Sequence, residues 1–193
     1  MNKSLLVLSL DFNENLGSEG VSALCGGLRT NSSLKKLSLR YCCIDKMGGS
    51  PISEMLCFKK LALTILDLKG NDLGGEGLHS ICTGLSENTK LEELNLADNG
   101  ISSSETDLSI LEQFGTVLSS HTPLHSIDLN HNPIGTKGGM ILLDSVGPKN
   151  KRIKKFKVDK SISSDVYNLL CRTQQKKKVG GKKKKKKGKK KKK

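Results

Sequence analysis

The 193 residues carry 33 Lys and Arg against 19 Asp and Glu, a formal net charge of +14, with 35% hydrophobic and 3% aromatic residues. That length suits one domain of ordinary size with a core built mainly from Leu and Ile. No apolar run approaches a membrane span, and the stretch at 4–10 is stopped by Asp11 below the length of a signal-peptide core, which predicts a soluble protein that is not secreted.

In chain order, "LLVLSLDFNENL" from Leu5 predicts a short strand, because Leu8 and Leu10 alternate with Val7, Ser9 and Asp11. The next segment, "LGSEGVSALCGGL" (16–28), reads as a glycine turn followed by apolar residues at helical spacing. The same pair of elements then returns. "LKKLSLRYCCI" starts at Leu34, "LTILDLKGNDL" at Leu63, "LEELNLADNGI" at Leu91, "LHSIDLNHNPI" at Leu124 and a degenerate "IKKFKVDKSI" at Ile153. The starts are separated by 29, 29, 28, 33 and 29 residues, so six units share one phase with a single insertion. That insertion, in the fourth unit, predicts a longer helix with Leu108, Leu111, Phe114 and Leu118 inward. Ser102-x-x-Glu105 is its capping box. In the sixth unit "SSDVYNLLC" predicts a short terminal helix with Val166, Leu169 and Leu170 inward, and Ser161 stands where the other units carry Asn.

Each unit reads L-x-x-L-x-L-x-x-N/C-x-L/I, and its second half, as in "LGGEGLHSICTGL" (73–85) and "IGTKGGMILLDSV" (134–146), reads L/I-G-x-x-G. The pattern resembles the ribonuclease-inhibitor type of leucine-rich repeat, a subtype also found in the Ran GTPase-activating protein and the NOD-like receptors. The resemblance implies an α/β fold: a curved, right-handed solenoid or horseshoe segment with parallel strands on the concave face and helices on the convex face. Residues 1–172 are expected to form this body and 173–193 a disordered poly-lysine tail. The Asn position after each strand predicts a structural ladder of Asn13 (or Asn15), Cys42, Asn71, Asn99 and Asn132, whose side chains satisfy backbone groups in the turn and in the neighbouring unit.

The concave face is then the expected partner-binding surface. Its outward positions include Asp11, Lys36, Arg40, Asp67, Lys69, Glu93, Asn95, Asp128 and Asn130, with Ser38, Ala97 and Ser126 between them. Phe12, Tyr41, Asp98 and His131 follow at the rim. Asp67, Glu93, Asp98 and Asp128 predict an acidic centre flanked by lysines at the far end. Phe12 and Tyr41 are neighbouring aromatics of the kind that anchor partners. At the N-terminal end Met1-Asn2-Lys3-Ser4 leads straight into the first strand without a polar cap, which predicts self-association, a covering partner or further repeats at that edge.

No nucleophile lies beside a base, although His125 is placed to approach Asp128. "KGNDLGGEG" lacks the Lys-Ser/Thr ending of a phosphate loop, and the six cysteines and four histidines have no zinc-ligand spacing. A non-enzymatic protein without metal or cofactor is therefore expected, with its cysteines free thiols in a reducing compartment.

Fourteen lysines fall in 176–178, 182–187 and 189–193, and the other 19 basic residues balance the 19 acidic ones. Within the body, residues 1–148 hold 11 basic against 17 acidic residues, and 149–172 hold 8 against 2. The run Lys182, Lys183, Lys184, Lys185, Lys186 and Lys187 is the candidate polyanion-binding segment, open to nucleic acid or an acidic protein surface such as a tubulin tail by counterion release. Three functions are therefore expected in order. The first is a scaffold or adaptor that holds an unidentified protein partner on the concave face, the second a polyanion binder driven by the tail, and the third a GTPase-activating or cytoskeletal regulatory role implied by the resemblance. The corresponding locations are cytoplasm, nucleus and cytoskeletal or ciliary structures.

Overall fold

The computed structural model of the chain describes residues 2–120 and 123–172. Six strand-and-helix units follow one another. They are β1 (Val7–Ser9) and α1 (Gly17–Leu28); β2 (Lys36–Ser38), a 3₁₀ turn (Lys46–Gly48) and α2 (Gly49–Leu56); and β3 (Ile65–Asp67) and α3 (Gly74–Glu87). β4 (Glu93–Asn95) and α4 (Glu105–Ser119), β5 (Ser126–Asp128) and α5 (Gly135–Val146), and β6 (Lys155–Lys157) and α6 (Ser164–Leu170) complete the series. All six strands are parallel in one sheet ordered β1-β2-β3-β4-β5-β6, so each unit pairs only with its sequence neighbours. Parallel strands lie about 4.8 Å apart and packed helices about 8–10 Å apart, and the narrower layer is therefore the inner one of a bent stack.

The register is uniform. Leu8, Leu37, Leu66, Leu94, Ile127 and Phe156 face one another across successive strands, and from Leu37 to Phe156 they are buried. Each inward leucine removed from such a core costs about 2–5 kcal/mol as Leu→Ala, because the surrounding units cannot collapse into the gap. The helix side is set by glycine. Gly17, Gly74 and Gly135 hold φ of +52°, +57° and +63° at the turn into α1, α3 and α5, a backbone shape that Gly adopts without steric cost.

α4 is the longest helix, with 15 residues. Its cap is not the expected Ser102–Glu105 pair. The Ser104 hydroxyl accepts the Asp107 N–H at 3.1 Å, and the Asp107 carboxylate accepts the Ser102 N–H and hydroxyl at 2.7 Å each. The helix thus begins two positions later than the Ser102–Glu105 pair predicts. In α6 Leu170 is buried, but Leu169 is 46% exposed where an inward side chain was expected. This helix is only seven residues long, and among the described residues it packs inward through Leu170.

The two ends of the sheet differ. At the far end the chain turns back after α6 and Arg172 makes an antiparallel bridge with Phe156, donating N–H to Phe156 O at 2.8 Å and accepting from Phe156 N at 3.0 Å. The Arg172 guanidinium also donates to the carbonyls of Asn150, Ile153, Val146 and Gly147. At the near end β1 pairs only with β2, and Leu5, Leu6 and Val7 are exposed.

Candidate functional site

Strand register arranges the outward side chains in rows across the sheet. The first row is Val7–Lys36–Ile65–Glu93–Ser126–Lys155 and the last strand positions align Ser9–Ser38–Asp67–Asn95–Asp128–Lys157. A shallow cleft of about 230 Å³ opens between these rows, lined by Lys36, Asp67, Glu93, Asp128, Lys155 and Lys157 among others. The small residues expected to point outward, Ser38, Ala97 and Ser126, are buried, because the longer side chains of adjacent strands close over them.

The acidic centre exists but is largely neutralised from within. Asp128 pairs with Lys157 Nζ at 2.5 Å and accepts the Asn130 N–H at 3.1 Å. Asp67 lies 3.9 Å from Arg40 Nε and accepts the Lys69 N–H. Asp11 accepts the Ser38 hydroxyl at 2.6 Å and the Arg40 N–H at 3.0 Å. Partial burial raises its pKa, but these hydrogen bonds outweigh that effect and hold the carboxyl below the usual range. Asn95 spends its carboxamide oxygen on the Ala97 N–H. Among the described residues, Glu93 and Asp98 are the carboxylates of this centre without a side-chain partner. Lys36 and Lys155 are likewise uncommitted. His125 does not approach Asp128 but sits 3.8 Å from Glu92, and His131 lies 3.6 Å from Asp159.

Along the rim, Phe12, Tyr41, Gly70, Asp98 and His131 all take left-handed backbone conformations, with φ of 61°, 52°, 72°, 57° and 61°. Sequence spacing places these residues at one position but not in this conformation. The Phe12 and Tyr41 rings stack at 5.1 Å with 10° between their planes, and Lys69 Nζ lies 5.7 Å from the Tyr41 centroid. A Cβ on Gly70 would overlap the Tyr41 ring, so the absent side chain is what admits it. Phe12 is 69% exposed. Holding a side-chain-bearing residue in this region costs about 1–2 kcal/mol, and a row of glycines would avoid that cost.

Beneath the rim runs the expected ladder. Asn71 Oδ1 accepts from Cys42 N and Ile44 N, and its Nδ2 donates to Leu39 O and Leu68 O. Asn132 does the same for Asn99 N, Ile101 N and Leu96 O, and Asn99 Nδ2 donates to Leu68 O. Cys42 Sγ reaches Leu10 O at 3.1 Å as the weaker rung, and Asn13 rather than Asn15 completes the series, donating to Leu10 O at 2.7 Å. The thiols of Cys25 and Cys82 are pushed up to about 12 by burial, which makes them packing groups rather than nucleophiles. Among the described residues no group of three His, Cys, Asp or Glu side chains is placed to hold a metal, and no helix is long and apolar enough to cross a membrane. His121 and the run Lys182–Lys187 lie outside the described residues.

Comparisons with known proteins agree with this geometry. A family model described as "Leucine Rich repeat" matches residues 2–25, 30–53, 62–82, 87–104 and 120–142. The chain is 31% identical over 144 residues to a protein phosphatase 1 regulatory subunit 37 homolog of Caenorhabditis elegans, covering 74% of this chain and 15% of that protein. It is 32% identical over 146 residues to the ribonuclease inhibitor of Mus musculus, covering 75% of this chain and 30% of the inhibitor. The chain therefore spans well under a third of the first of these relatives. Among solved structures, the tropomodulin C-terminal domain of Caenorhabditis elegans superposes with a TM-score of 0.62 at 12% identity, over 75% of this chain and 83% of that domain. Five matched repeats and the phase of the strand leucines lead to one conclusion: the chain belongs to the leucine-rich repeat family and is of the ribonuclease-inhibitor-like type.

Proposed function

We propose that this chain is a non-enzymatic protein-interaction module that holds a protein partner across the concave face and its aromatic rim. The observation that carries this reading is the division of the concave charges. Asp11, Asp67 and Asp128 are satisfied by neighbouring strands, while Glu93, Asp98, Lys36 and Lys155 are left for an external partner. The exposed, costly Phe12–Tyr41 stack supports it, since rigid aromatics on a rim are the usual anchors of a binding surface. Relatives named as a phosphatase regulatory subunit and as an inhibitor fit a role exerted on another protein.

The test is affinity capture with Phe12→Ala and Glu93→Lys, separately and together. Glu93 has no side-chain partner and Phe12, 69% exposed, packs on the Tyr41 ring at the surface, so the double variant is expected to lose the captured partner with little change in melting temperature. Undiminished capture would move the site off this face.

A second reading is favoured by one observation. Basic residues outnumber acidic ones 8 to 2 over 149–172, immediately ahead of the lysine-rich 173–193 segment, so charge accumulates toward one end. In this reading that end holds a nucleic acid or an acidic protein surface by counterion release. Removal of 173–193 separates the two, because it abolishes all binding in the second reading and spares a specific partner in the first.

A further inference from the structure

We propose that the side of the solenoid formed by its helix-to-strand connections binds the phosphate backbone of a double-stranded nucleic acid. This surface is separate from the concave face, and it goes beyond the tail-driven reading because it places the polyanion on the folded body. All six strands are parallel, so the helix-to-strand connections lie on one side of the stack and the strand-to-helix connections on the other. The charges divide in the same way. Residues 29–35, 57–64, 88–92 and 147–154 hold nine Lys and Arg against one acid, Glu92, and the remaining connection at 120–125 carries none of these charges. On the opposite side, residues 10–16, 39–48, 68–73, 96–104, 129–134 and 158–163 hold four Lys and Arg against six acids.

The lysines of the basic side are available. All seven, from Lys35 to Lys154, are exposed, and none has a side-chain partner among the described residues. Arg29 is committed to the Phe58 ring, 5.4 Å from its centroid, and Arg152 donates to Leu118 O and Ser120 O. Elsewhere lysines are matched, Lys46 with Glu76 at 2.9 Å and Lys157 with Asp128 at 2.5 Å. Glu92 is itself approached by His125 at 3.8 Å. The last turns of α2, α3 and α5 add Glu54, Glu87 and Asp144, and no ion pair joins them to these lysines. An array of like charges without internal partners raises a positive potential that draws a polyanion and releases its counterions.

The chemistry of this side selects a duplex over a protein or a single strand. Protein docking sites are built around apolar or aromatic anchors, and none of the exposed large hydrophobic side chains of the described residues lies in these connections. Single strands stack their bases on aromatic platforms, but the one aromatic residue here, Phe58, is half-buried beside Arg29. Point charges without anchors or stacking surfaces suit a duplex, whose phosphates face outward and are contacted without sequence preference. Successive connections are separated by between about 4.8 Å, the strand spacing, and about 8–10 Å, the helix spacing. The row therefore covers about 20–40 Å, comparable to one turn of duplex.

Arg172 joins this side to the lysine-rich segment. Its guanidinium donates to carbonyls at both ends of the 147–154 connection, those of Gly147 and Ile153 among them. Its backbone runs antiparallel to β6 and so heads toward that connection, the most basic of the row. The lysines that follow in the sequence thus start from the same side as those of the body.

Fluorescence anisotropy with a labelled, mixed-sequence DNA duplex of about 20 base pairs, titrated with the full chain from about 50 to 200 mM salt, tests this. Lys59→Ala/Lys60→Ala/Lys90→Ala removes exposed, unpartnered lysines and leaves 173–193 intact, so its melting temperature is expected to match the wild type. Its affinity is expected to fall about tenfold or more, and its slope of log affinity against log salt to become shallower by about 2–3, one counterion for each lost phosphate contact. Lys137→Ala/Lys160→Ala, on the opposite side, is expected to bind as the wild type does. A triple variant with wild-type affinity and slope would overturn the inference and leave the tail-driven reading standing, whereas a wild type that does not bind the duplex would overturn both. Equal weakening by the two variants, or tighter binding of a poly-glutamate peptide than of the duplex at the same salt, would also overturn it, the latter by making an acidic protein the ligand.

Discussion

The Asn99 N–H donates to Asn132 Oδ1 at 3.0 Å, joining residues 33 apart in sequence, and Ile101 N–H shares the same oxygen at 3.1 Å. Asn132 is 1% exposed, so its carboxamide stands in for water at two donors and at Leu96 O. Asn132→Ala leaves those groups buried and unpaired. The expected loss is about 2–4 kcal/mol in urea unfolding, given the desolvation penalty of each orphaned group. Asn13→Ala, whose bonds are exposed, is expected to cost about 0.5–1 kcal/mol. Equal losses for the two would mean that the ladder contributes no more inside than outside.

Gly70 joins a left-handed φ of +72° to the Tyr41 ring lying over its Cα. Gly70→Ala must overcome both, with an expected cost of about 2–3 kcal/mol. The ring is expected to move off Phe12, which removes the near-UV dichroism of the stacked pair. Gly74→Ala shares the positive φ of +57° without the steric overlap, and is expected to cost about 1 kcal/mol while leaving that signal intact.

Arg172 seals the last strand through its backbone and four carbonyl contacts. Arg172→Ala keeps the backbone bridge and removes the guanidinium, so the expected loss is about 1.5–3 kcal/mol for hydrogen bonds from a charged donor. Hydrogen exchange should accelerate in β6 and α6 first, with β2 to β4 unaffected. Uniform acceleration across all six strands would show that this end is not an independent cap.

The Asp11 carboxyl is held below its ordinary range because the Ser38 hydroxyl and Arg40 N–H favour the ionised form more than burial disfavours it. A folded-state pKa below the unfolded value of about 3.9 contributes stability that is complete above that value and is lost as pH falls through the folded pKa. Wild type is therefore expected to exceed Asp11→Asn in stability at neutral pH, with the gap closing below about pH 4. Urea midpoints of both proteins from pH 7 to pH 2 measure it, and a gap that does not change with pH counts against the assignment.

Much of the architecture is legible in the sequence because each unit repeats the same local instructions. The phase of Leu37, Leu66 and Leu94 identifies the inward side of every strand, and L-G at 16–17 and 73–74 marks where helices begin. The ladder is legible for the same reason, apart from the choice of Asn13, which rests on which carboxamide reaches Leu10 O. Departures arise where the repeat is imperfect. Ser104 and not Ser102 caps α4, since the insertion adds loop before helix, and Leu169 stays outward because the short α6 turns Leu170 to the core instead.

What the sequence determined by itself is the period, the inward leucines and the presence of an acidic, aromatic-rimmed concave face, all of which depend on side chains a few residues apart. Only the tertiary structure decided which of those charges remain available: Asp128 is neutralised by Lys157 and Asp67 approached by Arg40, while Glu93 has no partner. It likewise decided that Arg172 pairs with Phe156 along the outer side of β6. Charge pairing joins residues in different units, 27 to 29 positions apart, and the Arg172 bridge joins two residues on either side of α6, so these distances exist only once the stack has formed.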